Sequence, residues 1–280
     1  MCPTELEQST DIKPEDRSAA FNEIMEFATS LALPANLMTA DGSDATSPHQ
    51  SMIGGQPALP PGVAYPTDAN GKPMVHLVQI NFAEMPPLEG FPTSGLLQVF
   101  FEQGDLMGLT FESGAPKAHR TLFHHDSSVC LRAPLGAETF GSMHDMSDVI
   151  VPFEWDNWYE TGKGLSFKRE QLLPSASDHR VDKVFDRLYS ELQDGEEDDL
   201  YNKLDEKKYS PTGFIGGHPI FCQTDIRANP SYTGYAVCVF TLGAQHNVIV
   251  WGDLGEMTLF IRPSDLAEQD FSDTLYDWSC

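Results

Sequence analysis

The chain has 280 residues, of which 17 are basic and 42 acidic, and its formal charge of −25 repels phosphate backbones and anionic lipid; this argues against nucleic acid or a membrane surface as a partner. With 40% apolar and 10% aromatic residues spread evenly, the composition excludes disorder and a membrane span and leaves one large domain or two of ordinary size. The five cysteines, Cys2, Cys130, Cys222, Cys238 and Cys280, are odd in number and lack C-x-x-C spacing, which fits reduced thiols better than a disulfide framework or a zinc knuckle. Met1-Cys2-Pro3-Thr4-Glu5 has neither the basic nor the apolar region of a secretory signal, so a cytoplasmic location is expected.

In chain order, residues 14–33 read as an amphipathic helix. Phe21, Ile24, Ala28 and Leu31 recur at helical spacing, Pro14 suits the first turn and Pro34 ends the pattern. Residues 39–51 are small and polar, the composition of a loop. A Pro- and Gly-rich entry from Gly54 to Gly62 and a polar turn at residues 68–72 lead to a predicted strand at residues 74–82. Its alternation puts His76, Val78, Ile80 and Phe82 on one face. Residues 96–101 are a continuous apolar run, the mark of a strand covered on both sides.

Trp155, Trp158 and Tyr159 make an aromatic cluster. Residues 178–192 read as a second amphipathic helix, with Val181, Val184, Phe185, Leu188 and Leu192 inward. The acidic run at residues 194–199 reads as a solvated turn before a short helical stretch around Leu200, Tyr201 and Leu204. Residues 248–251, a turn at 252–255 and residues 257–261 read as a β-hairpin. Ser264 is the expected N-cap of a short helix, and Tyr276, Trp278 and Cys280 share one face of a final strand.

One pattern occurs twice. Ile53-Gly54-Gly55-Gln56-Pro57-Ala58-Leu59 recurs 162 residues later as Ile215-Gly216-Gly217-His218-Pro219-Ile220-Phe221. Gly95-Leu96-Leu97-Gln98-Val99-Phe100-Phe101 recurs 160 residues later as Gly255-Glu256-Met257-Thr258-Leu259-Phe260-Ile261, and the runs close on Asp105-Leu106 and Asp265-Leu266. Two blocks agreeing on one register mark a duplicated unit. The expected fold is therefore α+β, with two pseudo-symmetric, mainly antiparallel β units and peripheral helices. The expected organisation is an N-terminal helix and flexible loop over residues 1–50, then a domain over 51–280. Its halves, 51–160 and 211–280, are joined by a helical segment at 161–210.

The blocks Gly54-Gly55-x-Pro57-x-Leu59-Pro60-x-Gly62, Pro73-Met74-x-His76-Leu77-x-Gln79-Ile80-Asn81, Gly216-Gly217-x-Pro219-x-Phe221-x-Gln223-x-Asp225 and Trp251-Gly252-Asp253-x-Gly255 resemble, in order and spacing, the YwqG-like family, a bacterial domain of unknown function. The resemblance spans roughly residues 50–280. It implies an α+β fold with a largely antiparallel sheet and brings no established catalytic residues. Tyr65 stands where that family usually has Trp, and His218 where it has an aliphatic residue or Tyr.

Several side chains invite chemistry. The glycine pairs lack G-x-G-x-x-G and G-K-[ST], so they read as positive-φ turns and not as phosphate loops. His124 and Asp126, near His119 and His144, are the metal candidates, facing the same way on an extended segment, but two ligands are not a site and no metal or other cofactor is expected. His218, Gln223, Asp225, Arg227, Trp251 and Asp253 form the ligand-binding candidate set, in which an Asp–Arg pair beside a histidine orients a base or clamps a carboxylate. Cys222 lies four residues after His218, roughly 13 Å along an extended chain at ~3.3 Å per residue, too far for a thiol–imidazole pair. The expected function is a non-enzymatic binding module for a protein or small molecule. The alternative is a hydrolase or metal-dependent enzyme using His218, Asp225, Arg227 and Asp253. Differences between the copies, such as His218 for Gln56, point to the second half as the functional one.

Overall fold

Ser18 caps the first helix, α1 (Ala19–Ser30), its side-chain oxygen accepting from the amide of Phe21. The computed structural model describes residues 17–110, 117–129, 131–132, 149–205 and 212–280; Cys2, Pro14, Cys130 and His144 lie outside them. After α1 come β1 (Leu33–Asp44), β2 (Met52–Gly54), β3 (Ala58–Leu59), β4 (Val75–Asn81), β5 (Leu96–Phe101), β6 (His119–His124), β7 (Leu131–Arg132) and β8 (Gly162–Leu172). Then follow α2 (His179–Leu188), α3 (Glu196–Asp205), β9 (Gly213–Gly216), β10 (Val237–Leu242), β11 (Glu256–Ile261), α4 (Pro263–Ala267) and β12 (Leu275–Ser279).

The fold is α+β. Ten strands form one sheet in the order β12-β11-β10-β9-β1-β8-β2-β4-β5-β6, and β3 and β7 form a small second sheet. Every paired neighbour is antiparallel. The large sheet curls until its edge strands face each other, nearly closing a barrel. Thr121 Oγ1 on β6 lies 3.0 Å from Thr274 Oγ1, just before β12, and the His119 and Tyr276 rings stack at 5.1 Å. Closure of this kind shields sheet edges that would otherwise template association. Phe101, Ile215, Phe240, Trp251 and Leu259 belong to the enclosed core.

A second core lies outside the barrel, where α1, α2 and α3 pack through Phe21, Ile24, Val181, Phe185, Leu188 and Leu200. Burying each large side chain of this set contributes about 1.5–3 kcal/mol. No described helix is long and apolar enough to cross a membrane.

Several expectations need correction. The segment 161–210, expected to be helical, opens with the strand β8 (Gly162–Leu172) before α2 and α3. Residues 39–44, loop-like in composition, are the second half of β1, the centre of the sheet with β8. Thr39, Ala40 and Asp44 pair with β8, across a register shift between Ala40 and Asp44, as a continuation of the Ala35–Met38 stretch that pairs with both β8 and β9, and this outweighs weak intrinsic propensity. His76 does not share a face with Val78, because the β4–β5 register shifts between them and turns His76 towards Phe100, 5.1 Å away. Residues 248–251 meet the following segment only through the bridge between Trp251 and Gly255; the ladder partners of β11 are β10 and β12. The cap of α4 is Arg262, with Pro263 in the first turn, while Ser264 bonds to Asp265.

The acidic run is also different from a solvated turn. Glu196 is fully buried, and its carboxylate accepts from the amide and hydroxyl of Ser18 and the amide of Gln193. Composition cannot distinguish an acid that caps a neighbouring helix from one in water.

Candidate functional site

Two short segments share one sequence pattern and one geometry. Asp178 is the N-cap of α2, and its Oδ1 accepts from the amide of Arg180 at 3.0 Å. Asp225 caps a single 3-10 turn, residues 226–228, and its Oδ1 accepts from the amide of Arg227 at 2.9 Å. In each, the arginine two residues on folds back over its aspartate through Nε and Nη2, at 2.8 and 2.7 Å for Arg180 and 2.9 and 2.8 Å for Arg227. Such bidentate pairs are the strong form of ion pair. Arg227 Nη2 also reaches Asp178 Oδ2 at 3.3 Å and ties the two units together.

His218 joins this cluster because of the turn before it. Gly216 and Gly217 have φ of +71° and +65°, and a Cβ on Gly216 would lie 2.5 Å from Leu88 Cδ2. The left-handed φ values are what favour glycine here, since the Leu88 methyl is the end of a side chain that can move aside. His218 then places Nε2 at 2.6 Å from the Leu31 carbonyl and Nδ1 at 3.0 Å from Arg180 Nη2. His179, at the start of α2, donates through Nδ1 to Asp225 Oδ2 at 2.7 Å.

Burial alone would raise the Asp178 carboxyl, but the side-chain and backbone bonds from Arg180, with the Arg227 charge, hold it well below the usual range. Asp225 is lowered in the same way, burial being outweighed by Arg227 and His179. Both are therefore anions at neutral pH. Arg180 is raised chiefly by its bond to Asp178.

Asp178, His179 and Asp225 offer three metal-capable atoms within 4.8 Å of one another. The donor set fits an ion poorly. Asp225 Oδ2 already takes His179 and Arg227, and Asp178 Oδ2 takes Arg180 and Arg227. A dication would have to displace two guanidinium groups.

Two cavities adjoin the cluster. One, of about 170 Å³, has the apolar walls Leu33, Leu88, Phe91 and Val237, with Arg180, His218, Arg227 and, at the exposed rim, Glu89 contributing the polar side. The other, about 180 Å³, is lined by His179, Arg180, Arg227, Thr233 and Ala236. Both arginines therefore border both cavities. Each spends Nε and Nη2 on aspartate, and among the described residues neither Nη1 makes a hydrogen bond.

Of the residues singled out from sequence, His218, Asp225 and Arg227 come together here. Gln223 is exposed and donates to the Cys280 carbonyl at 3.3 Å. Trp251 is fully buried in the core, its ring 6.0 Å from Trp278, and Asp253 is exposed on its turn. His124 Nε2 lies 3.1 Å from Gln98 Oε1, while Asp126 accepts from the amide and hydroxyl of Ser128. Cys222 is bonded to Glu256, and its thiol is pushed up to about 12, by burial first and then by that carboxylate. It is a protonated thiol and not a nucleophile. Sequence reasoning missed Asp178, His179 and Arg180. The repeated Asp-x-Arg pattern, Asp178-His179-Arg180 and Asp225-Ile226-Arg227, was the available signal.

A family model described as a domain of unknown function (DUF1963) matches residues 51–280. No curated protein matches the chain.

Proposed function

Since the chain belongs to the DUF1963 family, a family with no assigned activity, we propose a non-enzymatic ligand-binding role, with the cleft at Arg180 and Arg227 receiving a small organic anion. The observation that carries this reading is that Arg180 and Arg227 line both cavities, the first of which has apolar walls, while each guanidinium is held by its own aspartate through Nε and Nη2. Small-ligand sites combine apolar walls with a few fixed polar groups in this manner. A carboxylate would take both Nη1 groups, with its hydrocarbon part among Leu33, Leu88 and Phe91.

Calorimetric titration with hexanoate, benzoate and inorganic phosphate tests it. A carboxylate should saturate the protein with a Kd of about 1 mM or tighter, equivalent to about −4.1 kcal/mol. Arg180→Gln should weaken it at least tenfold, since a charged hydrogen bond is worth about 1.5–3 kcal/mol. Binding indifferent to Arg180→Gln, or no binding by any of the three, sinks the reading.

A second reading rests on the His179–Asp225 bond, which orients the ring as in an acid–base dyad. In that case a hydrolytic enzyme occupies the same cleft. Turnover of p-nitrophenyl acetate or phosphate that disappears in His179→Gln would favour it over simple binding.

The finer kinship is with the YwqG-like group, supported by the spaced glycine and proline blocks. Duplication is supported by the strand order: β1 and β8 sit at the centre, β9-β10-β11-β12 run outward on one side and β2-β4-β5-β6 on the other. The repeated Ile-Gly-Gly blocks contribute to β9 and β2, and the repeated apolar runs to β11 and β5. A reducing, cytoplasmic setting is supported by the free thiols of Cys222, Cys238 and Cys280.

A further inference from the structure

A separate cavity of about 260 Å³ opens beside the first residue of β11. It shares no lining residue with the two arginine cavities. Its walls include Phe214, Ile220, Phe221 and Leu254, and its polar groups include Cys222 and Glu256.

Glu256 is only 8% exposed, yet among the described residues it has no counter-ion. Its two oxygens accept from the amide of Cys222 and, at 2.7 Å, from the Cys222 thiol. Among the described residues no Lys, Arg or His pairs with it, and the charged groups acting on it besides are Asp277 and Asp205, both acids. Burial, reinforced by those acids, raises its carboxyl. A buried carboxylate without a cation is costly to keep.

The fold does not require an acid here. In the matching apolar run the corresponding residue is Leu96, which packs on Ala58. An aliphatic side chain serves that position in one block, and a carboxyl facing a cavity serves it in the other.

We propose that this cavity binds a small primary alkylammonium ion, its NH3+ on Glu256 and its hydrocarbon chain among Phe214, Ile220, Phe221 and Leu254. An ammonium group brings three donors, and each carboxylate oxygen retains a lone pair after its bond to Cys222. Phenyl walls add attraction for a cation. The volume falls just under the roughly 300–1,000 Å³ of drug-sized sites, which matches an amine of about four to six carbons. The charge of −25 concentrates cations around the molecule.

The test titrates the wild-type chain with n-pentylammonium, n-pentanol and n-pentanoate by calorimetry in about 0.15 M salt, where long-range attraction is screened. Pentylammonium should bind saturably at one site and at least tenfold more tightly than pentanol. Glu256→Gln and Glu256→Leu should each reduce ammonium affinity at least tenfold while leaving hexanoate binding at the arginine cleft as in wild type. Equal affinity for pentanol and pentylammonium in the wild-type protein overturns the proposal, and that comparison needs no variant to fold. Pentylammonium binding that survives both substitutions, or its absence in the wild type, overturns it as well.

Discussion

Arg180 Nη2 lies 3.0 Å from Nδ1 of His218, whose Nε2 lies 2.6 Å from the Leu31 carbonyl. A guanidinium only donates and a carbonyl only accepts. The imidazole is therefore the neutral Nε2–H tautomer, engaged at both nitrogens, and it holds Arg180 in place instead of acting as a base. Nitrogen-15 NMR should show a protonated Nε2 and a bare Nδ1. A protonated Nδ1 at neutral pH would contradict this arrangement.

Acidification from pH 7 to 5 should destabilise the fold through two desolvated histidines. His76 is pushed down to about 4 by burial, and His119 to about 4 by burial and then by Lys117. Depressed histidines bind protons better when unfolded, so their contribution is complete above ~6.5 and declines as pH falls towards the folded value. Asp277, pushed up to about 6 by burial, acts oppositely, gaining stability as pH falls through that value. Two histidines outweigh one aspartate, and urea unfolding at pH 5 should show a net loss on the order of 2 kcal/mol relative to pH 7. Unchanged or greater stability at pH 5 would contradict the assignment.

Glu196→Ala should cost about 3 kcal/mol, because it strands the amide and hydroxyl of Ser18 and the amide of Gln193. Glu197→Ala, which loses only an exposed bond to the Tyr189 hydroxyl, should stay within about 0.5 kcal/mol. Equal losses in urea denaturation would mean that Glu196 does not fasten α1 to α3.

Gly55→Ala places a Cβ 2.3 Å from the Gly162 nitrogen at a φ of +72°. Gly71→Ala meets nothing within 4 Å at a φ of +81°. The second should cost about 1–2 kcal/mol, the conformational penalty alone, and the first distinctly more. Chemical denaturation of the two variants separates close approach from backbone strain.

Zinc, manganese and EDTA should each shift the melting temperature by less than about 1 °C, whereas an ion at 100 times its Kd adds ~2.7 kcal/mol. The carboxylates of Asp178 and Asp225 are already occupied by guanidinium groups. A rise of several degrees that vanishes in His179→Gln would revive a metal centre there.

Much of the architecture was legible locally. The helical spacing of Phe21, Ile24 and Ala28, and of Val181, Phe185 and Leu188, located α1 and α2, and the continuous run at residues 96–101 located a strand buried on both faces. These signals survive because periodicity reports burial directly. At the site, Asp225, Arg227 and His218 were legible because they lie close in sequence, beside a glycine pair whose positive φ was expected.

What sequence by itself determined, then, was composition, helix faces, glycine turns and the buried strand runs, all properties of a few neighbouring residues. Tertiary structure alone decided that residues 39–44 are strand, that Glu196 is buried, and that Asp178 meets Arg227 across 49 positions. It also decided that Glu256 lines a cavity, with no counter-ion among the described residues. The physical reason is that such pairings depend on which strands become neighbours when the sheet curls. That choice is made by the summed burial of the whole chain, and no local pattern carries it.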